Sequence, residues 1–132
     1  MRKSLWFRNG GQPHRGWYKN FWVDSSWELA FLMWHLDHGK EIVRNTQNFP
    51  YPFRRGVKYY RPDFIVEGTY YEIKGVMDYR SRRKLQYFPY PIVIVGPKQI
   101  KPFLEYAESK YGKDFFLRIR QSTSYNSQEL EK

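Results

Sequence analysis

Residues 60–75, YRPDFIVEGTYYEIKG, combine the pattern of a buried β-hairpin with ionisable side chains. The segments PDFIVE and TYYEIKG flank Gly68-Thr69, which we interpret as a tight connection between two strands. The otherwise apolar segments contain two acids and one amine: Asp63, Glu72 and Lys74. Because a buried charge costs several kcal/mol unless it is paired or binds a ligand, this stretch predicts both a sheet and a functional site.

The spacing of these residues favours a site for a divalent cation. Residues i and i+2 of a strand share a face, so Glu72 and Lys74 are expected on one side, with Ile73 buried behind them. An antiparallel pair would bring Asp63, which follows Pro62 at the start of the preceding strand, close to both. Mg²⁺ prefers one or two carboxylates together with water and phosphate oxygens. Such a cation activates bound water and stabilises charge in phosphodiester hydrolysis.

The segment upstream of this stretch has the pattern of a buried helix. Residues 24–40, DSSWELAFLMWHLDHGK, begin with Ser25 as a candidate N-cap, and Glu28 follows at the spacing of a capping box. Apolar residues cover most of the helix circumference, which is typical of a buried helix. Gly39 supplies the stop signal.

The remaining segments predict a mixed central sheet flanked by helices, an α/β (α+β) fold. PIVIVG, at 91–96, is typical of a central strand buried on both faces. A helix is predicted over 97–112, with Pro102 in its first turn and Gly112 at its end. The other predicted elements are a strand over 41–47, an edge strand or hairpin over 51–60, a short basic helix over 77–88 and a strand over 114–120.

The length of the chain predicts a single domain, and its composition, which lacks cysteine, is typical of a soluble protein. We divide the 132 residues into a basic aromatic arm (1–23), a core (24–120) and a flexible tail (121–132). The absence of cysteine excludes disulfides and thiolate zinc sites, and the three histidines lack regular ligand spacing. With no signal peptide and no apolar run of about 18 residues, we expect no membrane contact and a cytoplasmic location.

The formal net charge of +10 favours a polyanionic partner such as nucleic acid, although a basic surface can also serve solubility alone. Two basic groups are candidates for a phosphate-binding rim: Arg54, Arg55, Lys58 and Arg61 before the acidic stretch, and Arg80, Arg82, Arg83 and Lys84 after it. The second group also fits a solvated helix face. Four aromatic residues of the arm could stack on bases or pack on the core: Trp6, Trp17, Tyr18 and Trp22.

The acidic stretch resembles the motif of the PD-(D/E)XK nuclease superfamily. Pro62-Asp63 is followed, after eight residues, by Glu72-Ile73-Lys74. The resemblance covers about residues 17–119, and the order of predicted elements is similar to the restriction-endonuclease-like αβββαβ core of that superfamily.

The resemblance extends upstream to the helix start. The run SSWE, residues 25–28, is similar to a helix start that contributes a metal-binding glutamate in phage-type members of the superfamily, and here that residue is Glu28. A capping box explains Glu28 without any metal, and one carboxylate cannot fully serve both roles. Both interpretations of Glu28 stay open.

The resemblance implies a divalent-metal-dependent endonuclease acting on DNA. Asp63, Glu72, Glu28 and the backbone carbonyl of Ile73 would hold Mg²⁺ or Mn²⁺, and Lys74 would orient or deprotonate the attacking water or stabilise the transition state. Activities of this type include Holliday junction resolution, homing-type cleavage and very-short-patch-repair-like nicking. Junction resolution favours a homodimer, and RNA stays open as a substrate. The alternative is a non-catalytic nucleic-acid-binding module that uses the same basic rim.

Overall fold

The structure, a computed structural model, describes residues 14–121. Residues 1–13 of the predicted arm, with Trp6, and residues 122–132 of the predicted tail lie outside the described residues. Within the described range no helix combines the length and the apolar character needed to cross a membrane. The division into arm, core and tail stays a prediction.

The described chain contains both helices and strands. The α-helices of residues 14–121 are α1 (Ser26–Asp37), α2 (Tyr79–Tyr87) and α3 (Pro97–Tyr111), followed by a 3₁₀ helix over Phe115–Arg118. The strands are β1 (Gly16–Tyr18), β2 (Phe21–Val23), β3 (Ile42–Arg44), β4 (Phe49–Phe53), β5 (Gly56–Tyr60), β6 (Phe64–Val66), β7 (Thr69–Ile73) and β8 (Ile92–Val95).

The central sheet has the strand order β3-β6-β7-β8 in the described part of the chain. β6 pairs antiparallel with β3 and β7, whereas β7 and β8 pair parallel. The predicted mixed α+β fold is therefore confirmed. Along the chain, α1, β3, β6, β7, α2 and β8 follow the order αβββαβ, with the β4–β5 hairpin inserted between β3 and β6.

The connection between β6 and β7 is a two-residue turn. Val66 is opposite Thr69, so Glu67 and Gly68 form the turn, with φ angles of 47° and 86°. Positive φ at both central positions is typical of the type I′ turn, which matches the twist of the flanking strands. The hairpin is confirmed, but the prediction placed its connection one residue too late.

Two apolar clusters cover the two faces of the sheet. α1 and α3 pack together over one face, and the β4–β5 hairpin with α2 covers the other. Successive residues of β7 point to opposite faces: Tyr71 and Ile73 join the larger cluster, and Tyr70 joins the smaller one. This alternation directs Glu72 to the face that the hairpin and α2 cover.

Helix α1 is buried on nearly all sides, as its pattern predicts. Ser25 Oγ accepts a hydrogen bond from the N–H of Glu28 at 3.2 Å, which confirms the predicted N-cap. Phe31 and Leu32 are at most 1% exposed, and burying each contributes about 1.5–3 kcal/mol. Gly39, with φ of 70°, follows the helix end in the left-handed region that glycine enters without steric cost.

The prediction of a central strand over 91–96 is wrong. β8 lies at the edge of the described sheet and pairs there with β7. Val93 is 42% exposed, so the strand is not buried on both faces. Its β-branched run is explained by parallel pairing and by contact of Val95 with the larger cluster.

Two further predictions after β8 are wrong. α3 begins at Pro97 as predicted, after Gly96, whose N–H donates to Gln99 Oε1 at 2.9 Å, so Pro97 and not Pro102 lies in its first turn. Pro102 lies inside the helix at an exposed position. The segment over 114–120 contains a 3₁₀ helix, with Phe115 fully buried, instead of a strand.

The described part of the predicted arm is a hairpin packed on the core. β1 and β2 pair antiparallel, and Tyr18 belongs to the larger apolar cluster. Trp17 contacts Trp22 edge to face, and the Trp22 indole N–H donates to Asp24 at 2.8 Å. Of the two interpretations of these aromatic residues, packing accounts for Tyr18.

Candidate functional site

The acidic stretch folds so that Asp63 lies opposite Glu72. Phe64 is opposite Tyr71 in the β6–β7 pair, and one further step in this register matches Asp63 with Glu72. Asp63 Oδ2 accepts a hydrogen bond from the N–H of Ile73 at 2.7 Å. Residues directly opposite each other in an antiparallel pair project to the same face. The continued register places the two side chains at one end of the strand pair, near enough for the charge of Glu72 to raise the pKa of Asp63.

Glu72 is buried with one oxygen lacking a partner. The residue is 8% exposed, and within the described residues neither its Oε1 nor the Tyr60 hydroxyl makes a hydrogen bond of good geometry, although the hydroxyl lies near enough to influence the carboxylate. Burial raises the pKa of Glu72 to about 7, although the Tyr60 hydroxyl and the Lys74 ammonium act to lower it. An unsatisfied buried polar atom costs about 1–3 kcal/mol. Glu72 is therefore poised to take up a proton or a cation.

Lys74 lies between two openings in the surface. It lines a small pocket of about 10 Å³ together with Glu72 and Lys84, which is room for about one water. It also lines an open cleft of about 370 Å³, to which Glu28 and Ile73 contribute. Glu72 and Lys74 thus share a side as predicted, and Ile73, 7% exposed, is buried in the larger cluster.

Arg44 of β3 joins acids from three segments. Its Nη1 lies 2.6 Å from Glu28 Oε1, and its Nη2 lies 3.1 Å from Asp24 Oδ2 and 3.9 Å from Asp63 Oδ1. The guanidinium also stands over the ring of Phe64, 5.0 Å from its centroid. A planar cation with several N–H donors is suited to bridging carboxylates in this way.

Glu28 both caps its helix and faces this cluster. Its Oε1 accepts a hydrogen bond from the N–H of Asp24 at 3.0 Å, and the same oxygen accepts from Arg44. The capping bond therefore returns to the residue before Ser25 instead of to Ser25 itself. The carboxylate is 9% exposed, so capping and ion pairing are combined in one buried group.

The acids of the site repel one another. Burial raises the pKa of Asp63 well above its usual range, and the charges of Glu28 and Glu72 raise it further, against the opposing effect of Arg44. Burial also raises the pKa of Glu28, which Arg44 acts to lower. Because each acid is harder to ionise than in water, a cation among them would be bound with protons released.

The donor set fits a hard divalent cation only in part. Within residues 14–121 no group of three or more His, Cys, Asp and Glu side chains is arranged to hold a metal ion. Instead, Arg44 contacts Glu28 and Asp24 and approaches Asp63. Asp63 and the unpartnered Oε1 of Glu72 are ligands of the type that Mg²⁺ prefers. One or two carboxylates, together with water molecules, are enough to bind this ion.

The two predicted basic groups lie on adjoining elements. Arg54 and Arg55 form the turn of the β4–β5 hairpin, and Lys58 is exposed on β5. α2 packs against β4, and Lys84 of α2 lines the small pocket with Glu72. Both groups therefore lie on the side of the sheet that Glu72 faces.

Several of these basic residues have structural contacts as well. Arg80 Nε donates to the Tyr51 hydroxyl at 2.9 Å, and Arg83 Nη2 donates to the Pro52 carbonyl at 3.4 Å. Two further side chains are hydrogen-bonded: Arg61 to Asn48 and Arg82 to the Met77 carbonyl. Arg54 and Lys84 lie over the rings of Phe53 and Tyr60, whereas Arg55 and Lys58 make no hydrogen bond, ion pair or ring contact among the described residues. Arg55 and Lys58 are therefore the freest of the eight for a phosphate.

Sequence reasoning missed Arg44 and Asp24. The only available signal was a charged residue inside the short apolar strand around Ile42 and Val43. The contact of Arg44 with Glu28, 16 positions earlier, depends on the packing of β3 beside α1. A local sequence pattern does not predict that packing.

Comparisons of the chain with protein-family models, with curated proteins and with solved structures give no match. The likeness to the PD-(D/E)XK superfamily stays a prediction that rests on the motif residues.

Proposed function

We propose that this protein is a divalent-metal-dependent endonuclease that hydrolyses phosphodiester bonds in DNA. The observation that carries the proposal is the position of Asp63 opposite Glu72, two buried carboxylates beside the amine of Lys74. Buried like charges are costly unless a ligand compensates them. The pKa of each acid is raised, as expected for groups that gain from a bound cation.

The proposed roles follow from the position of each group. Asp63, Glu72 and the backbone carbonyl of Ile73 would hold Mg²⁺ or Mn²⁺, and Glu28 would assist from the α1 side of the cleft. A bound cation of this kind polarises the phosphate and lowers the pKa of a coordinated water. Lys74 lines both the small pocket beside Glu72 and the open cleft, so it can orient or deprotonate a water approaching the phosphate.

The substrate side of the proposal rests on charge. Arg55 and Lys58 are exposed on the hairpin, and the basic helix α2 adjoins it. Exposed Arg and Lys side chains suit contacts with phosphate groups, which carry no base sequence, and this favours recognition of DNA shape. We therefore infer a preference for branched or junction DNA, with homing-type nicking as the second option. Paired cuts at a junction would require a homodimer.

A second candidate function is a non-catalytic nucleic-acid-binding module. It is favoured by Arg44, which already compensates Glu28 and Asp24 without any metal ion. Such a module would bind DNA or RNA through the basic rim with a strong salt dependence, and divalent cations would leave its affinity unchanged.

Cleavage assays separate the two candidates. Wild-type protein, Asp63→Ala and Lys74→Ala are incubated with supercoiled plasmid, four-way junctions, mismatched duplex and linear duplex, each with Mg²⁺ or Mn²⁺ and with EDTA. The endonuclease is supported if wild type cleaves only with metal and both variants lose activity. Undiminished activity in both variants, or tight DNA binding by wild type without any cleavage, would contradict it.

A further inference from the structure

The guanidinium of Arg44 occupies the region where the acids of the site approach one another. Arg44 is 19% exposed at its side chain and makes charged contacts with Glu28, Asp24 and Asp63. Burial alone would lower its pKa, but the carboxylates of Glu28 and Asp63 more than offset that effect. Glu72, across the pair from Asp63, is the acid whose Oε1 has no partner.

A divalent cation at the proposed site would share Asp63 Oδ1 with Arg44, and also Glu28 Oε1 where Glu28 assists in binding. Asp63 Oδ2 is committed to the N–H of Ile73, so Oδ1 is the oxygen left for a cation, and Oδ1 faces Arg44. Glu28 Oε1 already accepts from Arg44 at 2.6 Å. Two positive charges within about 4 Å in a buried site repel by several kcal/mol at an effective dielectric of about 20. The two cations therefore exclude each other.

We propose that Arg44 is an internal counter-ion, which neutralises the carboxylates until a divalent cation binds and displaces it. The inference rests on the proposed metal site and adds its regulation: competition with the guanidinium sets the affinity for metal. The arrangement also explains how the chain folds around several buried acids before any metal arrives, because removing one member of a buried charge pair is strongly destabilising.

Mn²⁺ binding tests this directly. Free Mn²⁺ is followed by electron paramagnetic resonance during titration of the full chain, as wild type, Arg44→Gln and Arg15→Gln. Arg15 is a matched control, since it pairs with Asp24 at 3.0 Å but is 66% exposed at its side chain. Arg44→Gln should bind Mn²⁺ at least about tenfold more tightly than wild type, because charged hydrogen bonds no longer have to be broken. Arg15→Gln should stay within about twofold.

Equal or weaker binding by Arg44→Gln would overturn the inference and would make Arg44 a residue that positions the acids. If this variant does not fold, nuclear magnetic resonance of wild type gives the answer. The side-chain Nε–H signal of Arg44 should shift on addition of Mg²⁺, and a signal unmoved at saturating Mg²⁺ would contradict displacement.

One comparison distinguishes failure of the inference from failure of the proposed function. If Asp63→Asn abolishes Mn²⁺ binding while Arg44→Gln binds no more tightly than wild type, only the inference fails. If Mn²⁺ binding survives both Asp63→Asn and Glu72→Gln, the proposed metal site is wrong and both fail.

Discussion

Asp63 Oδ2 accepts a hydrogen bond from the backbone N–H of Ile73 at 2.7 Å. This bond joins the two halves of the motif across the β6–β7 pair and fixes the orientation of the Asp63 carboxylate. It leaves Oδ1 directed toward Arg44, 3.9 Å from its Nη2. The backbone N–H of Ile73 is thus hydrogen-bonded by a side chain at the end of the strand, where the backbone hydrogen bonds between β6 and β7 end.

Replacing Lys74 should separate catalysis from binding. Lys74→Met keeps the approximate length of the side chain but removes the amine of a residue that lines the small pocket beside Glu72. We expect DNA cleavage to fall by about 10²–10⁴-fold, because a positioned proton-transfer group contributes that much, while Mn²⁺ affinity is retained. Single-turnover cleavage and Mn²⁺ titration measure the two properties. Lys98→Met, at an exposed position on α3, is the control and should cleave normally.

The stability of the fold should fall as the pH rises. Burial raises the pKa of Glu72 from 4.5 to about 7, so the folded chain retains a proton that the unfolded chain has lost. The free energy of unfolding should therefore decrease between about pH 4.5 and pH 7, by up to about 3 kcal/mol. Asp63 and Glu28, whose pKa values are also raised, act in the same direction.

Glu72→Gln tests the origin of this pH dependence. Urea unfolding in EDTA should show the variant equal to wild type near pH 4 and more stable by about 1–3 kcal/mol at pH 8. Glu105→Gln, exposed on α3, should follow wild type throughout. A wild-type stability that rises across this pH range, or that Glu72→Gln leaves unchanged at pH 8, would show that Glu72 is not the buried acid described here.

The basic residues should divide into two classes. Arg55→Ala and Lys58→Ala should weaken DNA binding and each reduce the slope of log affinity against log salt by about 1, with the folded state unaffected. Arg80→Ala should lower the free energy of unfolding as well, because Arg80 bonds Tyr51 and lies over Phe53. Fluorescence anisotropy at several salt concentrations and urea unfolding measure both effects. If wild type and Arg55→Ala show the same slope of log affinity against log salt, the tip of the β4–β5 hairpin does not contact DNA.

Asp37 should be a structural acid remote from the site. Its Oδ2 accepts from the hydroxyls of Tyr106 and Tyr111, at 2.6 and 2.7 Å, and from Lys110 at 3.2 Å, which ties the end of α1 to α3. Asp37→Asn should destabilise the fold by about 1–3 kcal/mol without changing Mn²⁺ affinity. Tyr106→Phe, which removes one donor, should have a smaller effect. An unchanged unfolding midpoint in Asp37→Asn would contradict this role.

Local patterns predicted the parts of the fold that depend on neighbours in sequence. The cap at Ser25, the stop at Gly39 and the β6–β7 hairpin each follow from turn or capping chemistry within a few residues. The same is true of the acidic pair, because the hairpin itself brings Asp63 to Glu72. These features needed no knowledge of distant contacts.

Features set by long-range packing escaped prediction. The edge position of β8 depends on which strands flank β7, and its β-branched run is compatible with either place in a sheet. The 3₁₀ helix around Phe115 is fixed by burial of that side chain against the core, which overrides its strand propensity. Arg44 meets Glu28 only through the packing of β3 beside α1.

The most direct test of the metal site is a crystal of the protein grown with Mn²⁺ and examined by anomalous diffraction. The proposed function predicts a strong peak between Asp63 Oδ1 and Glu72 Oε1, at about 2.0–2.6 Å from each, with the Ile73 carbonyl nearby. The inference about Arg44 adds that its guanidinium has moved away. If neither carboxylate binds an ion at saturating Mn²⁺, the proposed metal site is contradicted.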